Sequence, residues 1–301
     1  MGFLSNYYNK PGPGVEKGAP KPNRFILFWQ IFGRHFFDLI KVNLVFMIPT
    51  AIVGILCGLL LFGGKLSPVF ALLPLILLSP FVGGLTYATR NYAREEHVFI
   101  WHDFMKHTKE NWKKFLINGV VFYIVVMLAV TAIRFYSKNQ NVLGPVLSLL
   151  ALTVCLGLLF IFICMQFYVP MQIVTFDLSL KQIYKNGVIF AILGLWRNLL
   201  LVVILGVELA CMALMIYLGA YLPILFLLVL AITIFVLFSF VAYLVNFTVY
   251  PILDKHMIQP ALKRQWEEKK ARGELTPEEE AEFADWSSAQ KDDDDDDDDD
   301  D

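Results

Sequence analysis

Residues 42–62 read Val42-Asn-Leu-Val-Phe-Met-Ile-Pro-Thr-Ala-Ile-Val-Gly-Ile-Leu-Cys-Gly-Leu-Leu-Leu-Phe62, a run without a single charge. At about 1.5 Å of helical rise per residue, it matches the roughly 30 Å hydrocarbon core of a bilayer. Lipid offers no water to backbone groups, and the run lacks the alternation of a barrel strand, so it reads as a membrane-crossing helix. Further runs of this kind lie at 68–89, 115–133, 143–169, 198–218 and 222–251.

The composition agrees with that reading. With 57% hydrophobic and 17% charged residues and a mean hydropathy of +0.59, the chain is too apolar for a soluble domain of this length. The expected fold class is an all-α integral membrane protein with six transmembrane helices. Trp112-Lys-Lys-Phe-Leu-Ile117 opens the third run and Trp196-Arg-Asn-Leu-Leu-Leu201 the fifth, while Pro80, Pro170 and Pro251 stand where even-numbered runs would close. This weak repeat suggests three helical hairpins, each entered through an interfacial amphipathic helix on the cytoplasmic side.

Charge sets the expected orientation. Of the 25 Lys and Arg, only Lys65, Arg134 and Lys138 fall on one side of the six crossings. By the positive-inside rule the other side, with both termini, is cytoplasmic, as in a multi-pass protein of the cell membrane. The outer loops, at about 63–67, 134–141 and 219–221, are too short to fold on their own. No small-residue cleavage site follows the first run, so it reads as an uncleaved helix. Residues 1–24 form an expected disordered cytoplasmic arm, 25–251 the membrane domain, 252–291 a mixed-charge helical tail, and 292–301 a disordered run of Asp. Within the tail, Thr276-Pro277-Glu278-Glu279 reads as a helix start. Starting the fifth crossing at Asn198 keeps Arg197 out of mid-membrane, where a cation would cost about 2.5 to 3.5 kcal/mol.

Three segments carry apolar residues at helical spacing. The first contains Phe25, Phe28, Trp29, Phe32, Phe36, Leu39 and Ile40. The second places Trp101, Phe104, Met105, Thr108, Trp112 and Phe115 on one face. The third, capped by Asp177, offers Leu180, Ile183, Tyr184, Gly187 and Val188. Their aromatic and basic residues suit the headgroup layer, with Trp29, Trp101, Trp112, Trp196 and Arg197 as interfacial anchors.

Glu208 is the one acidic residue inside an apolar run. Intramembrane carboxylates mark ion or proton pathways by default, although a protonated carboxyl can also bind a neighbouring helix. Gln166 and Asn246 are its candidate polar companions. His97, His102, Asp103 and His107 are spaced poorly for a shared metal, so no metal ligand set is assigned. Cys57, Cys155, Cys164 and Cys211 all lie in apolar runs without CxxC spacing and read as packing residues. There is no nucleophile elbow, phosphate-binding loop, zinc-protease motif or dinucleotide fingerprint. The expectation is a protein that is not an enzyme, needs no cofactor and binds no nucleic acid.

Asn43-Leu-Val-Phe-Met-Ile-Pro49, Pro80-Phe-Val-Gly-Gly84, Arg90-Asn-Tyr-Ala-Arg-Glu-Glu96, Asp103-Phe-Met-Lys106 and Asn111-Trp-Lys-Lys-Phe115 together resemble the YesL-like family of bacterial integral membrane proteins, a domain of unknown function. The likeness covers mainly residues 25–135. It implies a small helical membrane protein of Gram-positive-type bacteria, often encoded near carbohydrate uptake and degradation systems, and it supplies no site residues. The acidic tail and sixth crossing depart from the family's usual form. Two functional classes follow. One is an accessory or regulatory protein that presents cytoplasmic loops and tail to a transporter subunit or cytoplasmic partner. The other is a small solute or ion transporter or channel built on Glu208.

Overall fold

The computed structural model describes residues 23–64, 66–274, 276 and 283. The arm before Asn23, the helix start after Thr276 and the Asp run lie outside the described residues. Among those described, the chain is all helical, and six helical stretches are long and apolar enough to cross a membrane. It is an all-α multi-pass membrane protein in contact with lipid.

In chain order the elements are α1 (Arg24–Arg34), α2 (Phe36–Phe62), α3 (Pro68–Ala71), a 3₁₀ segment (Leu73–Leu78), α4 (Ser79–Ala93), α5 (Ile100–Glu110), α6 (Trp112–Lys138) and α7 (Gln140–Leu143). There follow α8 (Pro145–Thr175), α9 (Leu180–Leu193), α10 (Leu195–Gly219), α11 (Pro223–Ile232), α12 (Phe238–Leu253) and α13 (Gln259–Arg272). Two π segments, Thr233–Leu237 and Asp254–Ile258, join the last three into one helical run.

Several local expectations are corrected. The second crossing is not one helix over 68–89; it is broken into α3, the 3₁₀ segment and α4. Pro68, Pro74 and Pro80 explain this, because each lacks an N–H and sits in the first turn of its own segment. Pro80 therefore opens a helix instead of closing one, while Pro170 and Pro251 lie inside α8 and α12. Helix α8 runs past 169 to Thr175, and the sixth run continues as helix beyond 251 to Arg272, where Gly273 takes a left-handed conformation at φ 67° and ends it. The cap of α9 is Ser179, not Asp177: Ser179 and Gln182 exchange the two bonds of a capping box. Asp177 instead meets Lys114 at 3.3 Å.

The fifth crossing begins at Leu195, after a break at Gly194. A Cβ at Gly194 would crowd the Tyr168 hydroxyl and Ile252, so the glycine eases the close turn from α9 into α10. Asn198 is fully buried and holds the turn. It accepts from Tyr168 Oη at 2.9 Å and donates to the carbonyl of Ala191 at 3.0 Å, in the last turn of α9, and at 3.4 Å to that of Phe190, which also accepts the Gly194 N–H.

Burial is uneven along the bundle. In α8 the buried residues, Ser148 apart, lie between Cys164 and Ile173, and α10 buries only Asn198 and Leu201. The core thus gathers toward the end that carries most of the Lys and Arg, here termed the basic end. It is built around Phe28, Leu39, Phe46, Leu85, Tyr168 and Tyr243. Toward the bare end, leucines such as Leu149, Leu158, Leu209 and Leu227 face outward, as lipid permits.

Candidate functional site

The basic end owes its organisation to side chains that bond across helices. Helix α4 packs on α5 through Gly84, where a Cβ would lie 2.5 Å from Phe104 O and 2.7 Å from Thr108 Oγ1. Phe104 and Thr108 are buried against it. Trp101 and Trp112, expected on the same face, are instead exposed at 60% and 47%. An interfacial helix has two apolar surroundings, protein and lipid, and its aromatic residues divide between them. Trp29 and Trp196 are likewise exposed, as is Arg197, so all five expected anchors sit on the outer surface of the basic end.

The segment Arg90-Asn-Tyr-Ala-Arg-Glu-Glu96 closes α4 and fastens it to its neighbours. Arg90 is buried. Its guanidinium donates to Asn91 Oδ1 at 2.7 and 3.0 Å and to Thr175 Oγ1 of α8 at 2.8 Å, and lies 5.0 Å over the Tyr87 ring. The Tyr92 ring stacks on His35 at 4.8 Å, Arg94 sits 5.2 Å over Tyr250 of α12, and Glu95 meets Arg34 of α1 at 2.9 Å. Three helices are therefore tied to α4 by one short motif. In the sequence this segment lies between two apolar runs and figures only in the family resemblance; its aromatic-plus-arginine content is the signal that could have marked it as a tie.

A second set of ties lies within the bundle. Asn43 of α2 is fully buried and donates to Thr233 O at 3.0 Å and Ile234 O at 2.7 Å, while accepting from Ser239 N at 2.9 Å. These groups belong to the π segment and its exit. A π turn displaces the regular backbone ladder, and one carboxamide supplies the missing partners. Asn246 of α12 donates to Thr89 Oγ1 at 2.7 Å and Thr86 O at 3.2 Å on α4. Asn118 of α6 donates to Gln166 of α8 at 3.1 Å and accepts from Tyr184 of α9 at 2.8 Å. Burial pushes the Tyr184 hydroxyl up to about 12, so it stays a donor.

The expected trio of Glu208, Gln166 and Asn246 is not brought together. Gln166 and Asn246 serve separate interhelical contacts, and half-buried Glu208 has no hydrogen-bond or ion-pair partner among the described residues. A mostly apolar cavity of about 360 Å³, bounded by the 3₁₀ segment, α6 and α8, includes Asn118, Gln166, Ser79 and Pro170 but not Glu208. Buried Gln172 finds no protein partner among the described residues for either amide atom.

The histidines of α5 do not converge. His102 bonds Asp103 at 3.0 Å, whereas His107 stacks on Tyr87 at 3.6 Å and approaches Glu110 at 3.4 Å. Burial holds His107 below its ordinary range. At Asp103 burial works upward, but the His102 ring and the Phe99 N–H outweigh it and keep the carboxyl low. Among the described residues no group of three or more His, Cys, Asp or Glu could hold a metal ion. The four cysteines are free; Cys57 and Cys164 are buried, and Cys211 is exposed.

Comparison with known proteins is informative over the first part of the bundle. Residues 39–132, from α2 into α6, match the family model described as protein of unknown function, DUF624. No curated protein matches the chain, and no solved structure does. This chain thus carries a domain similar to that family of unknown function across its first three crossings, the part that includes Asn43 and the Arg90 to Glu96 motif.

Proposed function

We propose that this is a non-catalytic accessory or regulatory membrane protein of bacteria, which presents the cytoplasmic end of its bundle to a partner. One observation carries this reading. The buried Asn43, Arg90, Asn198 and Asn246 are spent on fastening helices to one another, whereas the solvated charges gather at one end. A conduit needs polar groups that line a continuous path and stay available to a solute.

The partner class follows from the YesL-like resemblance: a subunit of a membrane system such as carbohydrate uptake, or a cytoplasmic protein that serves one. Exposed Lys106 and Lys109 on α5 would form part of the docking surface. No cofactor or nucleic acid enters this scheme. Transport through Glu208 is the competing reading, and the absence of a hydrogen-bond or ion-pair partner for that carboxyl among the described residues weighs against it.

The test is reconstitution of the full chain alone into liposomes. Sugar, ion and proton flux should equal that of protein-free vesicles. Flux that disappears in Glu208→Gln would overturn the proposal in favour of a transporter.

A further inference from the structure

Two arginines from distant parts of the sequence meet at the mouth of one groove on the basic end. Arg24 opens α1, and Arg197 stands in the first turn of α10. Both line a cavity of about 400 Å³, whose walls include Phe28, Trp29, Ile204 and Leu244. Neither has an acidic partner among the described residues. Arg24 is held by a neutral carbonyl, Phe247 O at 3.1 Å, with its guanidinium 5.4 Å from the Phe247 ring centroid. Burial, and then the positive charge of Arg197, keeps the Arg24 guanidinium below its ordinary value.

Both arginines are exposed and carry the same charge, so an anion placed between them would be attracted by each. Below them the groove turns apolar. From Arg197 to Ile204 it follows α10 for about 10 Å into the bilayer, at 1.5 Å per residue, with α12 as the opposite wall. A soluble phosphate compound would leave this apolar part unused. A phospholipid would use all of it, with its phosphate between the guanidiniums and an acyl chain along Ile204 and Leu244.

We infer that the groove between α1, α10 and α12 is a specific site for one anionic phospholipid of the inner leaflet, with Arg24 and Arg197 binding the headgroup phosphate. The inference is independent of the partner proposed above, since it rests on different residues and reads out on lipid alone.

The experiment uses the full chain in nanodiscs of mixed phosphatidylglycerol and phosphatidylcholine with matched acyl chains, and counts retained lipid by native mass spectrometry. One phosphatidylglycerol per chain should be retained in preference to phosphatidylcholine. Arg24→Gln/Arg197→Gln should weaken that retention about 30-fold, from about 1 kcal/mol per basic residue at an anionic surface. Circular dichroism would verify folding of the double variant. Ile204→Trp, which keeps both arginines but fills the tail groove, provides an independent arm and should also lose the lipid. Lys181→Gln/Lys185→Gln removes two exposed charges from α9, outside the groove, and should leave retention unchanged. Equal retention of the two lipids, an undiminished signal in the arginine variant, or an equal loss in the lysine variant would overturn the proposal. Displacement of the lipid by inorganic phosphate at similar concentration would reassign the site to a soluble anion and overturn it as well.

Discussion

Replacing Asn43 by Leu isolates what a single carboxamide contributes to this bundle. The two side chains are similar in size, and Asn43 is fully buried, so the change should remove polarity with little change in packing volume. It deletes two donated bonds, to Thr233 O and Ile234 O, and one accepted from Ser239 N. Interhelical hydrogen bonds in membranes contribute about 0.6 kcal/mol on average and up to about 1.7, so three give roughly 2 to 5 kcal/mol. The upper part of that range applies because the groups left behind belong to a π segment that cannot satisfy them itself. Asn43→Asp should also destabilise, since an ionised carboxylate retains the acceptor but loses both donors. Reversible unfolding in mixed micelles would measure each loss, and hydrogen exchange at Thr233 to Ser239 should rise in step. If Asn43→Leu unfolds with wild-type free energy, the carboxamide does not stabilise the π segment and the reasoning fails.

Three further outcomes follow from the geometry. Gly84→Ala places a methyl 2.5 Å from Phe104 O, so it should cost about 1 to 3 kcal/mol and speed hydrogen exchange in α5; an unchanged exchange rate would contradict close α4–α5 packing. Glu208→Leu removes from α10 a half-buried carboxyl that has no partner among the described residues and should raise stability, by up to roughly 2 to 3 kcal/mol, as read by the same unfolding assay; a loss of stability would point to a partner for Glu208. For His107 the sign is fixed by burial, which lowers its value in the folded state below the ordinary 6.5. The unfolded chain then binds the proton more readily, so stability should fall as pH drops through 6.5 toward the folded value. His107→Phe should flatten that part of the pH profile, and an unaltered profile would remove His107 as its source.

The crossings were legible because hydropathy and length alone decide whether a helix can span lipid. Their internal details depended on partners distant in sequence. Asn43 and Asn198 look like isolated polar residues in apolar runs, yet one satisfies a π segment some 190 residues away and the other caps the end of α9. Trp101 and Phe104 share a helical face by spacing, but the first stays exposed while Gly84 makes room for the second. Ser179 and Gln182 carried a capping-box signature three residues apart, which Asp177 obscured by offering an equally ordinary cap. Pro80 has the look of a stop inside an apolar run, although the same ring is at ease in a helix's first turn. Glu208 was legible as costly, but whether polar groups surround it depends on how the other helices rotate, which no periodicity in α10 records.

The proposal that this protein works through a partner held at its basic end can be tested on native membranes. The most direct measurement is the protein composition of the full chain isolated in native-membrane lipid particles, with copy number determined by mass spectrometry. A membrane-system subunit is expected at near one-to-one stoichiometry, and it should be lost when the exposed charges of α5 are reversed by Lys106→Glu/Lys109→Glu. Isolation of the chain with no other protein near stoichiometry, in both wild type and variant, would contradict it.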